Sequence, residues 1–256
     1  MTASATKEKR RIARWDPSLF ERHSLFAPLL PFASRFAACA EFPCVATIDR
    51  ELSASAGVNF VAQPPLTRKE RRMAIPYDQA ILAGTVPTRE GSWHDFMNAL
   101  VWAAFPKAKL AVHALQSRLI EQASAAGIVG RRTPAHDAVA VLDEGGVLLL
   151  HGEQAPSASA AETIAALTTW ATSESAAEPP LPLTAMVFGH GVFESVAIEG
   201  PWPLVRAALL SVSAQQSVDQ RLAEWLMSAD APTGPKSLLP VSPGRLARLL
   251  GGLTRV

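Results

Sequence analysis

The sequence predicts an α+β fold, predominantly helical, formed by a single domain around a small antiparallel β-sheet. Three observations predict it. The longest periodic windows, WHDFMNALVWAAF and the stretch after it, repeat apolar residues at helical spacing. Strand-like stretches are few and short, and one pair flanks a DEGG turn in the manner of a hairpin. The chain of 256 residues, 48% hydrophobic and 18% charged, is long enough to bury a substantial core.

Taken in order, residues 1–14 form a basic tail containing KEKRRIAR, expected to be flexible, and residues 15–256 form the domain. WDPSLFERHSLFAPLLPFASRFAACAEFP is aromatic but cut by prolines, which predicts short helices. Asp16 caps the first ahead of Pro17, and Phe26, Leu29, Phe32 and Phe36 clamp the segment to the core. TIDRELSASAGVNFVAQPP predicts a short helix from Asp49 and a strand over Val58–Ala62, stopped by Pro64 and Pro65. The charged TRKERR leads to a helix or strand at Tyr77–Leu82 and a loop through Gly84 and Pro87.

Ser92 and Asp95 fit a capping box, with the carboxylate returning to the serine amide, and Pro106 ends the helix they start. The next helix spans Lys107–Ala125, with Ala108, Ala111, Val112, Leu115 and Leu119 on one face and Lys109, His113 and Gln116 on another; Gly127 stops it. HDAVAVLDEGGVLLLHG reads as strand, turn and returning strand, Gly145 and Gly146 supplying positive dihedrals. A loop at Gln154–Ala160, a helix in ETIAALTTW and an exposed loop near 172–181 follow. TAMVFGHGVFESV is a strand passing through Gly189 into a helix with His190 and Glu194, where Gly189 and Gly191 permit close approach. WPLVRAALLSV and SVDQRLAEWLMS read as helices, and the chain closes on a proline-broken extended run and a short basic amphipathic helix.

The absence of any run of 18 apolar residues removes a membrane span, and the polar start without a compact apolar segment points to the cytoplasm. A net charge of +1 makes nucleic acid an unlikely partner, leaving a small molecule or a protein. Cys39 and Cys44 lack the second pair of a zinc site and read as buried free thiols. Neither a G-x-S-x-G elbow, nor a P-loop, nor a dinucleotide fingerprint occurs.

Chemistry concentrates in three places. On a helix His94 and Asn98 lie about 40° apart, flanked by Trp102 and backed by apolar residues, so their polar groups must be paired or line a wet cavity. His190 and Glu194 face one way on their helix, as metal ligands or as a base and its orienting group, although the second histidine of HExxH is missing. Asp137, Asp143 and Glu144 add carboxylates; on a straight strand Asp137 and Asp143 lie roughly 20 Å apart, so Asp137 is the better inward acid while Asp143 and Glu144 serve the turn. Arg89 offers positive charge to a substrate or to a carboxylate.

WHDFMNALVWAAFPKAK, preceded by GTVPTRE, together with HDAVAVLDEGG and FGHGVFES, resembles DUF3025, a bacterial family of uncharacterised proteins. The resemblance covers roughly residues 57–194 and implies no established activity. Its patterns fall on Trp93, His94, Asp95, Asn98, Ala99 and Trp102, on Asp137, Asp143 and Glu144, and on His190 and Glu194. Members carry a further arginine before the aspartate, and a glycine, proline and tryptophan motif near the end, where this chain has RRTPAHD and LLPVSPGRL.

The leading expectation is a buried polar network in a binding or assembly module, its groups fully satisfying one another. The first alternative is metal-assisted hydrolysis of a small anionic substrate. There His94, Asp137, His190 and Glu194 bind a divalent metal or act as a base, Asn98 orients water or substrate, and Arg89 and Trp102 contact the substrate. The second is nucleic-acid binding.

Overall fold

The computed structural model describes residues 14–64, 77–128, 131–152, 160–173, 175 and 177–249. The tail up to residue 13, TRKERR, and the loop expected at Gln154–Ala160, apart from its last residue, lie outside them. The fold is α+β and mainly helical. Short 3-10 turns open the described chain, the first at Pro17–Glu21, where the Asp16 carboxylate accepts from Ser18 N at 3.0 Å. The elements after it are α1 (Leu30–Ala33), α2 (Val45–Ala56), β1 (Asn59–Ala62), α3 (Tyr77–Leu82), β2 (Thr85–Thr88), α4 (Trp93–Ala104), α5 (Pro106–Ala125), α6 (Pro134–Gly145) and β3 (Gly146–Gly152). There follow α7 (Ala160–Thr172), β4 (Thr184–Val187), α8 (His190–Ala197), β5 (Arg206–Val212), α9 (Val218–Met227), β6 (Leu239–Pro240) and α10 (Pro243–Leu249).

The four-stranded sheet has the order β4-β3-β5-β6. It is mixed rather than wholly antiparallel: β3 runs antiparallel to β4 and parallel to β5, and β5 runs antiparallel to β6. β1 and β2 form a separate parallel pair. In β3, Gly146 to Leu150 are all buried, so the strand is an unbroken apolar run covered on both faces.

Three elements differ from the sequence expectation, the simplest being Thr85–Thr88, which is β2 where a loop through Gly84 and Pro87 is expected. Residues 134–145 are a helix, not the first strand of a hairpin. The Thr133 side chain accepts from His136 N, Pro134 stands in the first turn, and Ala138, Val139 and Leu142 share one fully buried face. Gly145 and Gly146 therefore mark a helix-to-strand junction, and neither has a positive φ. RAALLSV, read as helical, is β5: pairing with β3 from Arg206 opposite Gly146 to Val212 opposite Gly152 outweighs its local helix preference.

α4 is the central helix, with Phe96, Met97, Ala99, Leu100, Val101 and Trp102 inaccessible to solvent. Burying side chains of this kind contributes about 1.5–3 kcal/mol each. The amino-terminal aromatics hold α4 and α8 from behind: Phe36 and Phe42 pack edge-on against Phe96, and Phe26 stacks on Phe193 at 5.7 Å. Cys39 and Cys44 are free thiols, as expected, but neither is buried: Cys39 is partly exposed and Cys44 exposed. The loop near 172–181 is mostly exposed, yet Trp170 and the buried Arg245 both donate to Ala177 O, and Leu181 is buried. Among the described residues, no helix is long and apolar enough to cross a membrane.

Candidate metal centre

The site forms where the first turns of α4 and α8 meet the end of α6. Ser92 Oγ accepts from Asp95 N at 3.2 Å and starts α4. The Asp95 carboxylate does not return to the Ser92 amide; it accepts from Arg89 N, Nε and Nη2 at 2.6, 2.8 and 2.7 Å. Arg89 is thus tied to the helix start it precedes. Burial alone would raise the Asp95 pKa, but these bonds and the guanidinium charge leave it below the usual carboxylate value. With the helix anchored, His94 and Asn98 both face one pocket.

α8 reaches the same point because two glycines let backbones touch. A Cβ at position 189 would stand 2.3 Å from Gly146 N, and one at position 191 would stand 2.8 Å from Glu144 O and 3.0 Å from Glu144 Oε2. Phe188 N and Gly189 N both donate to Gly146 O. His190, next to these contacts, is consequently laid against Asp143 and Glu144 at the end of α6.

Three ligand-capable side chains converge there. His94 Nε2 and His190 Nε2 are 3.1 Å apart. Glu144 Oε2 lies 3.5 Å from His190 Nε2, and Glu144 Oε1 lies 3.8 Å from His94 Nε2. One ligand atom from each lies within 4.8 Å of the others. Two nitrogens bound at ~2.05 Å and separated in this way would subtend roughly 100°, between the octahedral and tetrahedral angles. The Glu144 contacts are longer, but its side chain is half exposed and has room to turn.

Behind these groups stands an outer layer. Glu194 Oε2 contacts His94 Nδ1 at 2.9 Å. Asp143 Oδ1 accepts from Lys109 Nζ at 2.5 Å, while Asp143 Oδ2 lies 3.9 Å from His190 Nδ1. Desolvation opposes a charged His94. The bond to Glu194 and the charges of Glu144, Glu194 and Asp95 prevail, so its pKa is raised above 6.5. Burial pushes Asp143 and Glu144 upward too; the Lys109 charge outweighs it at Asp143, the His190 hydrogen bond and the histidine charges outweigh it at Glu144, and both stay below their ordinary values. The centre therefore attracts positive charge. It opens into a cavity of about 800 Å³ whose walls include Tyr77, Arg89, Glu90 and Asn98. Asn98 is buried; its Nδ2 donates to Tyr77 OH at 3.4 Å and its Oδ1 has no partner among the described residues. Desolvation and nearby carboxylates raise the Tyr77 pKa, keeping its hydroxyl neutral.

Of the residues singled out in sequence, His94, Asn98, His190 and Glu194 come together, Glu194 behind His94 rather than at the convergence. Asp137 does not join them. It sits about 10 Å back along α6, half exposed, and pairs with Arg132 at 3.1 Å. The error followed from reading α6 as a strand. Arg89 lines the pocket with its charge already matched by Asp95. Trp102 is fully buried and stacked on His113 at 5.7 Å, a core residue rather than a substrate contact. Asp143 and Glu144, assigned in sequence to a turn, belong to the site, and Lys109 and Tyr77 were missed. The Thr133-Pro134 helix start was the available signal, since it ends α6 with Asp143 and Glu144 beside the glycines.

No curated protein matches the chain in sequence. Among solved structures it is similar to phenylalanine hydroxylase from Chromobacterium violaceum bound to cobalt. That likeness has 13% identity and a TM-score of 0.46, covering 92% of this chain and 85% of that one, too distant to carry an argument. Residues 58–243 match DUF3025, described as a protein of unknown function, and the chain belongs to that family.

Proposed function

We propose that this protein is a metal-dependent enzyme in which His94 Nε2, His190 Nε2 and a Glu144 carboxylate oxygen hold one divalent ion facing the pocket. The single observation that carries this reading is the convergence of those three donors beside a cavity. Charge supports it: Glu144, Glu194 and Asp143 against Lys109 leave two negative charges for a divalent cation to balance. The closed-network reading has less support, because Asn98 Oδ1 and His190 Nδ1 are buried without a partner among the described residues.

The reaction we infer is metal-assisted hydrolysis of a small polar molecule. No serine or cysteine lines the pocket among the described residues, so a covalent route through either has no candidate. A metal bound here would supply Lewis-acid polarisation of water or of a substrate carbonyl. Glu90 and Glu144 line the pocket as acceptors for a proton, and Asn98 presents an acceptor one helical turn from His94. Support for an anionic substrate is weak, since Arg89 is committed to Asp95.

Elemental analysis of protein purified without chelator tests the proposal. One divalent ion per chain is expected, lost in His190→Ala. Zinc supports hydrolysis, whereas iron held only under anaerobic conditions turns the reading toward oxygen chemistry, which uses the same donor set. Metal-free protein that takes up neither ion on titration rejects the site.

A further inference from the structure

Lys109 is wholly buried on α5, and its ammonium meets Asp143 and lies over the face of Trp102. As a stabilising device such a pair is poor, because desolvating two charges offsets most of their attraction and apolar residues of similar size do as well or better. Its position suggests another use. Asp143 Oδ1 is occupied by Lys109, which leaves Oδ2 turned toward His190 Nδ1, a buried nitrogen with no hydrogen-bond partner among the described residues. His94 has the matching arrangement already closed, with Glu194 on its Nδ1.

A histidine binds a metal through one ring nitrogen only if the proton stays on the other, and a carboxylate at the far nitrogen keeps it there. We propose that Lys109 and Asp143 are positioning residues for His190: Lys109 fixes the carboxylate, and Asp143 accepts the Nδ1 proton so that Nε2 presents its lone pair to the metal. The proposal rests on the reading of His94, His190 and Glu144 as a metal centre. Neither Lys109 nor Asp143 touches the metal; both act through the ring.

Asp143→Asn is the sharpest test. Lys109 would draw the amide oxygen, turning the NH2 group toward His190 Nδ1 and favouring the tautomer with the proton on Nε2. Zinc titration of the full chain against a chelating dye should show affinity reduced by about 10–100-fold. Imidazole nitrogen resonances of the zinc-loaded proteins should show a slowly exchanging His190 Nδ1 proton in the wild type and not in the variant. The double variant Lys109→Met/Asp143→Leu guards against a folding defect. It removes both charges together, so it should melt at or above the wild-type temperature and still bind zinc more weakly by a similar factor. A folded double variant with wild-type zinc affinity overturns the proposal and leaves the metal centre standing; a wild-type protein that takes up neither zinc nor iron(II) overturns both.

Discussion

Two histidine–carboxylate contacts of nearly equal length stand on the neighbouring helices α4 and α5: His94 with Glu194 at 2.9 Å and His113 with Asp78 at 2.8 Å. They differ at the other ring nitrogen. His94 Nε2 meets His190 and Glu144 at the edge of the pocket. His113 Nε2 is buried without a hydrogen-bond partner among the described residues, its ring flat against Trp102 with Tyr77 edge-on. A carboxylate behind a histidine is therefore no mark of a site. What marks one is delivery of the second nitrogen to a place where other donors and solvent arrive together.

That contrast breaks most sharply under paired truncations. His190→Ala removes one of three proposed ligands and should weaken zinc binding by more than the 10–100-fold usual for changes in the outer layer, read by competition titration. His113→Ala should leave zinc affinity near wild type. Its cost is in folding, about 2–3 kcal/mol, from the lost ring packing and the stranded Asp78 acceptor, read by denaturant unfolding. If His113→Ala empties the centre while His190→Ala only destabilises the fold, the assignments of the two regions are reversed.

A smaller effect tests the glycines that bring α8 onto α6. Gly191→Ala places a methyl 2.8 Å from Glu144 O, which is backbone and cannot swing aside. The expected cost is about 1–2 kcal/mol in unfolding free energy, with weaker zinc binding because Glu144 and His190 are pushed apart. Unchanged stability and affinity would show that the close approach does not set the spacing of the donors.

The same contrast explains what could be read in the sequence. Local signals carried far: Ser92 starts α4, His94 and Asn98 share a face, and Gly189 leads from β4 into a helix with His190 and Glu194 on one side. The failures came where local pattern and tertiary context disagree. AVAVL alternates like a strand, and the glycines after it resemble a hairpin turn, so α6 was misread and Asp137 was favoured over Glu144. Lys109 is placed by its periodicity only on a face apart from the apolar stripe, because the charge that admits it to the core, Asp143, lies 34 residues away on another helix. Periodicity places a residue on a face; it does not say which partner waits there.

The smallest effect to resolve is the pH dependence of the metal-free protein. At 3.1 Å one proton lies between the two Nε2 atoms, which a neutral pair supplies through the tautomer of either ring; protonating His94 as well adds a positive charge. Burial disfavours that charge, but the Glu194 bond and the surrounding carboxylates outweigh it and raise the His94 pKa above 6.5. A group with a raised folded-state pKa contributes its full stabilisation below the unfolded value and loses it as pH rises through the folded one. Chelator-treated protein should therefore lose melting temperature as pH climbs from about 6.5 through neutrality, and His94→Gln should remove that part of the slope. Zinc takes the place of the proton, so the zinc-loaded protein should lack the decline, and zinc affinity should rise over the same interval as the competing proton leaves. Parallel melting curves with and without zinc would mean that proton and metal do not compete for the His94 ring, and the centre would then have to lie elsewhere.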